Sequence, residues 1–138
     1  MSIMKGFALG ILLMFPACSI QAQIRHKVVI QFTDSDSVSQ ASVLGQVKNI
    51  KNDLPDTDIE VVCHGPGLDL LVRKTSKAAA QIAEWKSKGV TFAACNNTMK
   101  RRGVKPEDLQ QEATIVPSAM TQLIKRQEEG WSYVKGGH

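Results

Sequence analysis

Residues 90–100 read VTFAACNNTMK, a strand running directly into a helix. A short apolar run at residues 90–94 ends at Cys95 and gives way at once to Asn96, Asn97 and Thr98. The run suits a buried strand, and the polar residues suit the first turn of a helix. A thiol at that junction faces backbone N–H groups and the positive end of a helix dipole, both of which favour thiolate. Cysteine is also among the most buried residue types and is often an inert small hydrophobe. The position alone therefore leaves a reactive thiol and a packed, idle one both open.

Working outward, the same alternation repeats. Residues 26–33 (HKVVIQFT) read as a buried strand, followed by a turn and N-cap cluster at residues 34–37. Val43, Leu44, Val47, Ile50 and Leu54 recur at helical spacing, and Pro55 stops that helix. Residues 59–63 (IEVVC) form a second strand, ended by His64, Gly65, Pro66 and Gly67. Residues 68–72 are expected to continue onto the sheet or pack against it as a loop. A second helix over 76–88 is closed by Gly89, and the strand ending at Cys95 is the third. A third helix over 97–102, a turn led by Pro106, a fourth strand at 113–116, a helix to Glu129 and a last strand at 131–134 complete the chain. Strands alternating with helices argue for an α/β protein, a three-layer sandwich around a mainly parallel five-stranded sheet. The length suits a flavodoxin-like sheet in the order 2-1-3-4-5, with right-handed crossovers.

Residues 1–22 are expected to be a secretory signal peptide. Lys5 supplies the positive region, GFALGILLMF the apolar region, and Ala22 a small residue for cleavage, with lipoprotein processing at Cys18 as the rival. The apolar stretch is too short for a membrane span. Residues 23–138 then form one domain, expected in the periplasm or secreted. Those 116 residues carry 16 basic and 13 acidic side chains, a net charge of +3, because Lys5 is the one charged residue removed. The basic cluster of Lys100, Arg101, Arg102 and Lys105 has no interleaved aromatics, so it reads as a solvated helix face and not as a nucleic-acid surface.

Cys63 and Cys95 remain after cleavage, and an oxidising compartment invites a disulfide. If strand 1 lies between strands 2 and 3, the two cysteines stand about 9–10 Å apart. A disulfide tolerates about 7 Å between Cα atoms. Cys63 is therefore expected to be buried and structural, and Cys95 free.

Ligand sites in such sheets lie beyond the carboxyl ends of the strands. Those ends present Asp34, then His64 with Gly65 and Gly67, then Cys95 with Asn96 and Asn97, then Ser118. The candidate catalytic pair is Cys95 and His64, and the others are candidate ligand-binding residues. Each has a structural alternative. Asp34 and Ser118 suit N-caps, His64 can hold its turn by hydrogen bonding, and Asn97 and Thr98 can cap a helix. The glycine turn is too short for a phosphate-binding fingerprint, and no G-x-S-x-G elbow surrounds Ser118. A soft-metal set of Cys63, His64, Cys95 and Met99 lacks ligand spacing, so neither a metal nor another cofactor is expected.

Four blocks, KVVIQFTD, VVCHGPGLDLLV, VTFAACNNTMKRRGV and VPSAMTQLIKRQEEGWSYVK, resemble the DsrE/DsrF family over most of residues 23–138. The resemblance implies an α/β sandwich that assembles as homo-oligomers, trimers or hexamers. It also implies that Cys95 occupies the position where sulfur-handling members carry a persulfide along a relay. His64 and Gly65 match the family's His-Gly turn, and Asn97 with Thr98 match its Asn-Thr. The relay proteins of the family are cytoplasmic, whereas residues 1–22 of this chain are expected to be an export signal. The expected function is a periplasmic sulfur (persulfide) carrier or thiol-redox protein acting through Cys95, with a small sulfur species or a donor or acceptor protein as partner and no membrane or nucleic acid. The alternative is a non-catalytic oligomeric binding module that holds a small ligand or soft metal at the same rim. Trp131 and Tyr133 are candidates for an oligomer face, or for packing on an edge strand.

Overall fold

The computed structural model describes residues 2–3 and 24–138, so the expected signal peptide lies outside the described residues apart from residues 2–3. Five strands form one all-parallel sheet: β1 (Lys27–Phe32), β2 (Asp58–Cys63), β3 (Thr91–Cys95), β4 (Ala113–Val116) and β5 (Ser132–Lys135). Between them run α1 (Ser37–Asp53), α2 (Ala79–Ser87), α3 (Asn96–Arg102) and α4 (Ala119–Glu128). The three-layer α/β architecture is the one read from the sequence. Among the described residues no helix is long and apolar enough to cross a membrane.

The strand order corrects the expectation. It is β4-β3-β2-β1-β5, so β2 and not β1 lies beside β3. From β1 to β4 the chain steps one strand at a time in one direction. Right-handed crossovers taken in one direction place their helices on one face. The last connection runs back across the sheet to β5, which puts α4 on the other face. The two cores follow this division. One gathers Ile30, Phe32, Val61, Phe92 and Ala94 with Val43 and Val47 of α1, Ile82 and Trp85 of α2, and Met99 of α3. The other is small, with Val29, Val62, Ala93, Cys95 and Val116 under Ala119 and Leu123 of α4. Phe32, Phe92, Ile30 and Ile82 are fully buried, each contributing about 1.5–3 kcal/mol from removal of apolar surface.

Local differences have local causes. The cap of α1 is Asp36, whose Oδ1 accepts the Ser39 N–H at 2.8 Å. The helix expected from Ser76 starts at Ala79, because Ser76 Oγ accepts the Ala78 N–H and Gln40 Oε1 accepts the Lys77 N–H. Gly65–Leu70 is a 3₁₀ helix and not a strand, and its Leu68 and Leu70 seal one end of the larger core. Beyond β5 the backbone is pinned to α1, where Gln46 both donates to the Gly137 carbonyl at 2.9 Å and accepts the Gly137 N–H at 3.2 Å.

Candidate functional site

The β2–β3 register pairs Cys63 with Ala94. Side chains alternate between faces along a strand, so Cys63 and Cys95 point to opposite sides of the sheet. Cys63 lies in the three-helix core and Cys95 in the α4 core, and both are free. The expected absence of a disulfide holds, but opposed faces prevent the bond and not the distance inferred from strand order. Burial in an apolar core pushes the Cys63 thiol far up, which leaves it inert.

The soft-metal set divides the same way. Cys63 and Met99 belong to one core and Cys95 to the other. His64 bonds Gln31, which alternates with the core residues Ile30 and Phe32 and so lies on the α4 side. These four cannot surround one ion. Among the described residues no group of three or more His, Cys, Asp and Glu converges.

Cys95 is 4% exposed. Burial pushes its thiol up, but hydrogen-bond donors outweigh that and bring it below its ordinary value. The donors are the Thr98 N–H, the Ala119 N–H, the Thr98 hydroxyl and the Asn97 N–H. The Ala119 N–H reaches Cys95 Sγ at 3.3 Å. Two helix starts thus converge on one sulfur, α3 from the same strand and α4 from across the face. Developing negative charge is favoured at such ends. The Thr98 hydroxyl is oriented in turn, since it accepts the Gly65 N–H at 3.0 Å. That leaves its own hydrogen for the sulfur. Arg102 fastens the glycine turn to α3, donating to the Gly65 carbonyl at 3.0 Å and pairing with Asp69 at 2.5 Å.

His64 lies at the end of β2, beside Cys95 on the neighbouring strand and on the same face. Its Nε2 is 2.8 Å from Gln31 Nε2, so the amide donates and the ring is neutral with its proton on Nδ1. Gln31 Oε1 accepts the Tyr133 hydroxyl. Burial holds the His64 pKa below its ordinary value, and the charges of Lys135 and Arg101 add to this. At neutral pH His64 is therefore a neutral hydrogen-bonding group and not a cation paired with the thiolate.

This depression has a sign. The unfolded chain binds a proton at His64 near its ordinary value of about 6.5, and the folded chain does so only at lower pH. The His64 contribution to stability is complete above pH 6.5 and falls as pH drops from there toward the folded value. Thermal melts of the wild type and His64→Gln at pH 7.5 and pH 5 measure it. The wild type is expected to lose more stability on acidification than the variant, and equal losses would refute the assignment.

The structure brings Cys95, Asn97, His64 and Gly65 to one rim. Asn96 and Asn97 open α3, and Asn97 contributes through its backbone. Ser118 is the N-cap of α4, next to Ala119, although its side chain makes no cap bond. Gly67 packs against the end of β1 and has no room to line a pocket. Asp34 is not brought to Cys95. It follows β1, which β2 separates from β3, and it lies 3.9 Å from Lys135. The sequence reading missed Gln31 and Ala119, gave Thr98 only as a cap or as part of the family's Asn-Thr match, and placed Tyr133 on an oligomer face or an edge strand. Gln31, a polar residue inside an apolar strand, was the one visible signal.

Comparison with known proteins bears on the fold and the family. The sequence profile of the DsrE/DsrF-like family matches residues 26–135. MTH1491, a protein of unknown function from Methanobacterium thermoautotrophicum, superposes with a TM-score of 0.76 at 31% identity, over 80% of this chain and 98% of its own. The ychN protein of E. coli gives 0.66 at 10% identity, covering 81% and 99%. BT1422 of Bacteroides thetaiotaomicron, a conserved protein of unknown function, gives 0.64 at 19% identity, covering 79% and 93%. No protein of curated function matches. With a family match across both cores and the Cys95 rim, the chain belongs to the DsrE/DsrF-like family.

Proposed function

We propose that this protein carries sulfur as a persulfide on Cys95, outside the cytoplasm and as a homo-oligomer. The observation that carries the reading is the convergence of Ala119, Thr98 and Asn97 donors on a single sulfur. A carrier needs a stabilised thiolate and little other machinery. The thiolate attacks the terminal sulfur of a polysulfide or a donor persulfide. One S–S bond forms to Cys95, the donor's S–S bond breaks, and the donor leaves as a thiolate from a persulfide or as a sulfur chain one atom shorter from a polysulfide. The close cover of Cys95 favours small sulfur species as donors. Export rests on residues 1–22.

The test is polysulfide treatment of the purified protein, with Cys63 and Cys95 read separately by peptide mass. Added sulfur is expected on Cys95 alone. In parallel, methyl methanethiosulfonate, a small thiol reagent, should label Cys95 with a midpoint below the ordinary thiol value. If Cys95 reacts only after unfolding, the carrier reading fails and a ligand-binding module at the same rim replaces it.

Assembly is supported by the thin cover on the α4 side. Met120 and Ile124, one turn apart on α4, are 48% and 56% exposed, and Tyr133 and Val134 stand open on edge strand β5. Exposed apolar groups so grouped suit a subunit contact. Sedimentation equilibrium should give a multimer that Ile124→Glu weakens. A monomer at every concentration would overturn the assembly.

A further inference from the structure

Glu60 lies in the middle of β2, and its side chain is 2% exposed. A carboxylate rarely occupies such a position unless it is paired. Its two oxygens are divided between two residues of α4. Gln122 Nε2 donates to Oε1 at 2.8 Å, and Arg126 Nε donates to Oε2. Arg126 is itself held, with its guanidinium 4.5 Å from the centre of the Trp131 ring and a 2.8 Å bond to Glu129.

The same helix begins at Ala119, whose N–H reaches Cys95 Sγ. Ala119 and Gln122 are three residues apart, about 4.5 Å along the helix axis. Among the described residues α4 is otherwise held by apolar packing of Ala119 and Leu123 on a small core that Trp131 also covers. Such packing is non-directional and tolerates small slides and rotations. An N–H···S bond does not, because hydrogen bonds weaken steeply with misalignment.

We propose that Glu60 is a positioning residue for Cys95: by holding Gln122 and Arg126 it sets the placement of α4 that aims the Ala119 N–H at the sulfur. The role rests on the reading of Cys95 as the reacting thiol. It differs in sign from an effect of charge. The Glu60 carboxylate lies on the Cys95 face, and removing it takes away that negative charge and leaves Arg126 paired with Glu129 alone. Both changes would favour the thiolate through space. Loss of positioning disfavours the thiolate instead. The other ionisable groups at this rim, His64 on β2, Arg101 on α3 and Lys135 on β5, are the same in every variant compared.

The experiment measures the rate of Cys95 labelling by methyl methanethiosulfonate against pH, by peptide mass, in the wild type, Glu60→Ala, Gln122→Ala and Glu60→Gln. In Glu60→Ala and Gln122→Ala the midpoint should move to higher pH. Labelling at pH 7 should slow by about 3–10-fold, the worth of one hydrogen bond, while the plateau rate at high pH stays the same. Glu60→Gln keeps an acceptor for α4 and should restore most of the wild-type profile. An unmoved midpoint, or one moved to lower pH, in folded variants overturns the role of Glu60. Should Glu60→Ala fail to fold, Gln122→Ala decides alone, because it removes one partly buried neutral donor and leaves the Glu60–Arg126 pair in place. A wild-type midpoint at the ordinary thiol value would refute the reading of Cys95 and this inference with it. A low wild-type midpoint that the variants leave in place refutes only Glu60.

Discussion

Cys95→Ser should end persulfide formation on this chain completely while leaving the fold in place. A serine hydroxyl stays protonated at any working pH, and it cannot accept a sulfur atom. The substitution is tolerable because its surroundings are already donors. The Ala119 N–H that reaches Sγ at 3.3 Å can donate to a hydroxyl instead. The cost should be about 1 kcal/mol, the net worth of an exchanged hydrogen bond. Cys63→Ser should behave in the opposite way. Cys63 is fully buried in the three-helix core, where a hydroxyl meets apolar neighbours and is expected to cost about 1–3 kcal/mol. Sulfur loading on Cys95 should survive it. Thermal melts and peptide mass after polysulfide treatment read both variants. Loading retained by Cys95→Ser, or lost only in Cys63→Ser, would reassign the function.

The contrast between these cysteines shows how far the sequence reaches. Strands β1 to β4 were legible because each is a short, largely apolar run, whereas β5 is half polar and exposed throughout, and Cys95 was legible because it ends one such run at a helix start. The pairing order was not. Nothing in residues 27–32 says whether that strand stands beside β3 or one strand away, since either place buries both of its faces. The order decided two later points. It removed Asp34 from the site, and it replaced the distance argument for the free cysteines with one from opposed faces. The donors around Cys95 were hidden for a different reason. Ala119 and Asn97 act through backbone N–H groups, which any residue type supplies. Glu60 did leave a signal, a charge inside the buried run IEVVC, but its partners lie more than 60 residues away on α4.

Gly67→Ala should be the most damaging small substitution in the molecule's turn region, costing about 3 kcal/mol. A Cβ at Gly67 would stand 2.6 Å from the Phe32 carbonyl carbon and 2.7 Å from Thr33 Cα, with the Phe32 oxygen nearer still. These are backbone atoms at the end of a central strand, so no rotamer change relieves the clash. The Phe32 carbonyl is also tied to the His64 N–H at 3.2 Å, which holds the approach closed. Gly45→Ala is the control. It adds the same methyl group inside α1, where nothing lies within 4 Å, and should stabilise by about 0.5–1 kcal/mol. Chemical denaturation of the two variants should therefore shift in opposite directions, and a shift of both the same way would refute the close-approach argument. The damage at Gly67 should also reach the sulfur. The turn it occupies carries the Gly65 N–H that orients the Thr98 hydroxyl toward Cys95. Displacing that turn removes a donor from the thiolate, so in the folded fraction of Gly67→Ala the Cys95 labelling midpoint should rise as well.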